Sequence, residues 1–283
     1  MAAMIHTLIG LFSGREERGK VFGILGSANG LAGVISGLTA GPIADRWGYS
    51  ALFVVATLLY LLLPIIAALM ADKIIARAAK SAEKVVEQKL LSNRAYLLLF
   101  SASTLAFIAS GAALLGRPLQ MNRLGFDSTA ITSAVAVGNL FSLPLPFLIG
   151  WFSDRIPRKY LLAACYLATM LGMATLAVAS EVWHFWLCAM FMNIAAISLT
   201  VGAALVTDFV PTRLLSRGMS SFTSTNWIGI TIGFVATGAA LDRLGVPLVM
   251  MIGAVLAVVA FALVSSLRTP TAHWETILTT ADE

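Results

Sequence analysis

A carboxylate and three cations fall within one ten-residue stretch, Gly150-Trp151-Phe152-Ser153-Asp154-Arg155-Ile156-Pro157-Arg158-Lys159. These residue types suit ion pairing and helix-end hydrogen bonding rather than bond cleavage. Asp154 is expected to pair with Arg155 or Arg158 and to face the N-terminus of helix 219–241, where the helix dipole favours an anion. Asp208, at the end of its own apolar run, could accept from the same arginines. Gly150 would let two helix ends approach closely. The plainer alternative is a set of solvated loop charges that only orient the chain. A second group comprises polar side chains inside apolar runs: Asn29, Ser103, Thr104, Ser110, Asn139, Asn193, Ser198, Asn226 and Trp227. They could meet a small solute at membrane depth, although bonding between helices is the commoner use of such residues. No nucleophile constellation, metal-ligand cluster or phosphate loop is evident, so no enzyme, metal or cofactor is implied.

The elements that must position these groups are membrane helices. Of the 283 residues 59% are hydrophobic and 12% charged, with mean hydropathy +0.88. A soluble domain carries about 25% charged residues. Lipid offers no partner to an unpaired backbone group, which leaves helices as the spanning form for such a chain. The fold class expected is therefore all-α, a polytopic helical bundle in contact with the lipid bilayer. Eight runs approach the ~20 residues a crossing needs: 20–43, 50–71, 95–115, 129–150, 160–180, 183–207, 219–241 and 246–267.

Lys and Arg set the orientation. With the segment holding Arg15, Arg18 and Lys20 inside, fifteen of the nineteen cations face the cytoplasm and four, Arg46, Arg117, Arg123 and Arg243, face out. That asymmetry puts both termini inside. It also accounts for the net charge of +5 without nucleic acid, because the cations cluster between apolar runs. Residues 72–94 alternate apolar positions with lysines at helical spacing and read as an amphipathic cytoplasmic linker. It separates residues 1–71 from a unit over 95–268, and 269–283 form a polar tail. Asp127 and Ser128 occupy a helix-capping position, and Pro144 and Pro146 interrupt the fourth run. Cys165 and Cys188 both lie in apolar runs, as core-filling side chains do.

The first helix carries Gly26, Gly30, Gly33, Gly37 and Gly41, followed by Pro42. The four-residue spacings put glycines on one face, for close helix packing or a pliable seam. An internal repeat follows: Gly41-Pro-Ile-Ala-Asp45-Arg46-Trp-Gly48 recurs as Gly238-Ala-Ala-Leu-Asp242-Arg243-Leu-Gly245, with Asn29 and Asn226 at one offset. Residues 1–12 match the inner end of run 183–207, so the chain is expected to start within a helix that its second copy completes.

Gly150-x-x-x-Asp154-Arg155-x-Pro157-Arg158-Lys159 resembles the cytoplasmic signature loop of the major facilitator superfamily, with Pro157 where the family usually has Gly. The resemblance implies two six-helix halves joined by a cytoplasmic loop, here 72–94. The second half then looks complete. The first is represented by helices 20–43 and 50–71, with about three and a half helices lacking. It also implies transport of a small-molecule substrate by alternating access, with the signature loop as a cytoplasmic latch. Gly37-x-x-x-Gly41-Pro42 resembles part of the glycine-rich motif of proton-coupled drug antiporters, though Ala28, Asp45 and Arg46 depart from it. That partial match leans towards efflux of drugs or metabolites. A proton or another ion is the coupling partner to consider, and an uptake permease, a uniporter and a non-transporting fragment stay open. A bacterial inner membrane is the expected location. The substrate and the oligomeric state are not written in the sequence.

Overall fold

A computed structural model describes residues 18–70, 93–145, 148, 156–210 and 215–267. Seven helices occupy them: α1 (Arg18–Met70), α2 (Arg94–Arg123), α3 (Ser128–Ser142), α4 (Arg158–Ala177), α5 (Val182–Ala196), α6 (Ser198–Phe209) and α7 (Leu215–Ser265). Among the described residues there is no strand, and the chain is an all-helical membrane bundle, as composition requires. The linker 72–94, the tail 269–283 and residues 1–12 lie almost wholly or wholly outside the described residues.

The breaks follow local chemistry. Helices α1 and α7 each divide at one left-handed glycine, Gly48 (φ 77°) and Gly245 (φ 72°). Only a residue without Cβ takes that backbone cheaply. The two positions are equivalent in the repeat, so one short motif makes the same hairpin twice. Asn93 caps α2 by accepting from the Ala95 and Tyr96 N–H groups, and its amide donates to Phe209 O at 3.0 Å. Asp127 caps α3 by accepting from Ala130 N at 2.7 Å. Helices α5 and α6 abut at Ile197, whose dihedrals stay helical, and act as one rod.

Arg94–Arg123, Arg158–Ala177, Val182–Phe209 and Arg217–Ser265 are long and apolar enough to cross a membrane. The last has 49 residues. At 1.5 Å per residue that is about 70 Å of helix, twice a ~30 Å hydrocarbon core, and Gly245 folds it into two crossings.

Three sequence expectations shift. The helix of the first crossing does not end with the apolar run at residue 43 but continues beyond it to Trp47, and Gly48 is the residue that leaves the helical backbone. The third does not end at 115: α2 runs to Arg123, which places Arg117 inside a helix rather than in an outer loop. Pro118 lies inside this helix and removes one of its backbone hydrogen bonds without ending it. Helix α3 turns at Leu143 and Pro144, so its regular part is 15 residues, shorter than the run 129–150 suggests.

Two buried clusters hold α2, α4, α5, α6 and α7 together. One joins Tyr96, Leu99, Leu162, Tyr166, Leu205, Phe222 and Val264. The other, towards Gly245, joins Met121, Met173, Leu176, Phe185, Cys188 and Met250. Cys165 and Cys188 fall in different clusters and are both free thiols. Helix α1 stands apart from this body and meets it chiefly through α3. Its second segment turns Phe53, Leu58, Leu59 and Tyr60 outward, as a lipid-facing helix does.

The α1–α3 seam is built on glycine. A methyl at Gly37 would lie 2.6 Å from Ala136 N, and one at Gly41 would lie 2.7 Å from Ser128 O. Backbone cannot yield as a flexible side chain can, so the helices would have to part. Gly37→Ala should therefore lower stability by about 1–3 kcal/mol, the usual cost of overpacking. Gly238→Ala is the internal control, because nothing lies within 4 Å of the added methyl. It should be neutral or stabilising by up to ~1 kcal/mol through helix propensity. Thermal unfolding in detergent reads both, and equal effects would show that the seam is not close-packed.

Candidate functional site

The charged loop is where chemistry was expected, and its helix-side half is described. Pro157 precedes α4 with φ −53°, and Arg158 is the first helical residue. The Arg158 guanidinium reaches across to the end of α6. It donates to Asp208 Oδ1 at 3.0 Å, to Ala204 O at 3.0 Å and to Thr207 Oγ1 at 3.4 Å. Lys159 donates to Leu267 O at the end of α7. One arginine thus satisfies a carboxylate and a carbonyl of a helix C-terminus, the end whose dipole attracts cations. Side-chain exposures of 37% and 41% leave the pair in contact with solvent. Its strength is then that of a surface pair, about 0–1 kcal/mol. Gly150, Asp154 and Arg155 lie outside the described residues.

The polar side chains at membrane depth divide. Asn139 of α3 donates to Val135 O of its own helix at 2.9 Å and lies over Gly33 of α1. Asn193 of α5 donates to Ala189 O at 3.0 Å and lies over Gly138 of α3. Each asparagine covers a glycine of the next helix, so α1, α3 and α5 interlock at one level. Ser110 closes on Ala106 O at 3.0 Å. Ser103 and Tyr166 share a buried 2.7 Å hydrogen bond between α2 and α4. Asn226 and Trp227 sit on α7, which packs on α2, α4 and α6, so the structure does not bring them to the asparagines. Trp227 is 69% exposed. Asn29 is exposed on α1.

The far end of the bundle holds a constellation that the sequence reading did not single out. Asp45 of α1 crosses to the start of α3, where it accepts from Ser128 N at 3.1 Å, Thr129 N at 2.8 Å and the Thr129 hydroxyl. Tyr49 hydrogen-bonds Ser128 Oγ at 3.0 Å beside it. The signal available was the repeat itself, which sets Asp45 and Asp242 at matched positions. The Asp242 side chain is 87% exposed and meets Arg123 at 3.5 Å. Sequence could not say which of the two would find a helix end.

Two measurements follow from this geometry. The Thr129 hydroxyl above all, with Ser128 and the two backbone N–H groups, holds the Asp45 carboxyl below its ordinary 3.8, against a smaller opposing effect of desolvation. A depressed folded-state value means that its contribution is present above pH 3.8 and is lost as pH falls through that lower value. Asp45→Asn should therefore shift the unfolding midpoint at pH 6 and progressively lose its difference from the parent as the pH is taken below 3.8. A difference that persists in acid would place the effect elsewhere. Asp208→Asn should lower stability by ~1 kcal/mol or less, because its partner stays solvated and keeps Ala204 O.

The family description of the Major Facilitator Superfamily matches the chain over residues 1–144 and again over 99–281. None of the curated proteins compared with it matches the chain. The two family matches together cover nearly all of it, in keeping with the helical bundle and with the resemblance of the Gly150–Lys159 loop. This chain is an integral, multi-pass membrane protein and belongs to the Major Facilitator Superfamily, a family of membrane transporters.

Proposed function

We propose that the chain serves as a secondary transporter that moves a small solute by alternating access, in the direction of efflux. The carrying observation is that α1 joins the rest of the described bundle chiefly through the one glycine-lined seam with α3. Two bodies that touch along one narrow, side-chain-poor line can rock against each other with little repacking. Bulky interdigitated side chains would have to unlock first.

Two exposed, individually weak polar contacts stand at opposite ends of the bundle. Asp45 on the α3 N-terminus crosses the seam, whereas Arg158–Asp208 joins α4 to α6 inside the body and positions the start of α4, next to the charged loop. A weak contact across the seam suits a device that must break and reform each cycle, because a contact biases a conformational equilibrium only by its difference between states. In this reading the Arg158 end is cytoplasmic, and Asp154, Arg155 and Lys159 add to its latch. The direction of efflux is supported by the partial glycine motif Gly37-x-x-x-Gly41-Pro42.

Direction can be read in cells loaded with a panel of fluorescent cationic and neutral dyes. Expression of the full chain should lower steady-state dye content for some member of the panel. Raised content would reverse the direction, and no change across the panel would remove dye efflux. For any dye that responds, Asp208→Asn, which frees Arg158 beside the charged loop, should slow transport by about fivefold while the protein stays folded.

A further inference from the structure

Asp45 makes a contact that a static cap does not require. Helix α3 already carries its own capping carboxylate, since Asp127 accepts from Ala130 N. The two preceding N–H groups, of Ser128 and Thr129, are satisfied instead by a carboxylate from another helix. One cap moves with α3 and the other moves with α1. At the equivalent position of the repeat, Asp242 caps no helix among the described residues. The borrowed cap is therefore specific to the α1–α3 seam and stands at its end, beyond the last tight glycine, Gly41.

We propose that Asp45 is a conformational latch that holds the seam shut at the end opposite Arg158. When α1 and α3 part there, the Ser128 and Thr129 N–H groups pass to water and the carboxylate leaves with α1. The inference rests on the alternating-access reading and adds to it a second latch, on the face away from the charged loop.

The latch is not a proton sensor. The titratable groups nearest it in the chain or at the same helix end are Arg46, which follows it in α1, Tyr49, which bonds Ser128, and Asp127, the cap of α3. The hydrogen bonds favour the ionised carboxylate, and its partners on α3 are donors rather than competing bases. It stays charged throughout the physiological range and opens by motion of the helices. Because the carboxylate is exposed, the helix-end attraction is screened and the bias it gives is a few-fold rather than all-or-none.

Nitroxide labels at Trp47→Cys and Trp183→Cys report this end, since both side chains are exposed and belong to α1 and α5. A second pair, at Leu31→Cys and Tyr160→Cys, reports the Arg158 end. The native cysteines are buried, which keeps the labelling selective. In the full chain reconstituted in lipid, Asp45→Asn should raise the longer-distance population of the Trp47/Trp183 pair roughly threefold. Thr129→Val, which removes one donor and leaves the carboxylate, should give a smaller rise. Asp242→Asn should leave the distribution unchanged. An unchanged Trp47/Trp183 distribution in Asp45→Asn, or an equal rise in Asp242→Asn, overturns the latch. If the Leu31/Tyr160 pair still shows two populations in that case, alternating access survives without it. A single population at both pairs in every variant would sink the transport reading together with the latch.

Discussion

Close approach of the α1 and α3 backbones is the constraint on which the rest of the arrangement depends. In lipid the hydrophobic effect does not pull helices together, because the hydrocarbon tails are as apolar as the side chains. Association has to come from packing density and from polar contacts that only short distances permit. Glycines at 30, 33, 37 and 41 remove the side chains that would hold α1 away. With that gap closed, Asn139 can cover Gly33 and the Asp45 carboxylate can reach the first N–H groups of α3. A bulkier α1 face would take both away, although neither residue is itself a glycine.

The body beyond α3 is held differently. Its clusters contain large side chains such as Tyr96, Tyr166, Phe185, Phe222 and Met250, buried between four or five helices. These contacts interdigitate, so that body behaves as one piece. The contrast between a side-chain-rich interior and a side-chain-poor seam gives the molecule its mechanical character, because rearrangement concentrates where least packing must be undone. The polar contacts at the two ends follow the same division. Arg158–Asp208 ties α4 to α6 within the body, whereas Asp45 ties α1 to it.

The repeat separates what a local motif controls from what its surroundings decide. Gly48 and Gly245 take the same left-handed backbone, and each begins a second crossing. Their neighbours differ. Gly41 packs on Thr129 and Thr132, while Gly238 faces open space. Asp45 caps a helix, while Asp242 meets an arginine at the surface. The same Gly, Asp, Arg and Gly positions therefore yield one latch and one exposed pair.

Much of this was legible without coordinates. Low charge and long apolar runs determined a helical membrane bundle, since an unbroken apolar run of about 20 residues satisfies its own backbone in lipid only as a helix. The capping role of Asp127, the turn at Pro144 and the buried state of Cys165 and Cys188 follow from residue type and position. The family was legible in the Gly150–Lys159 loop. The helix limits near Trp47 and Arg123 were not, because a helix runs on until a residue can break it, and mean hydropathy does not mark that residue. Nor could sequence tell that Asn139 and Asn193 serve as glycine covers, or that Asp45 rather than Asp242 finds a helix N-terminus. Those outcomes depend on which helices become neighbours. Periodicity shows only that a face is small, polar or apolar, and the tertiary structure decides what that face meets.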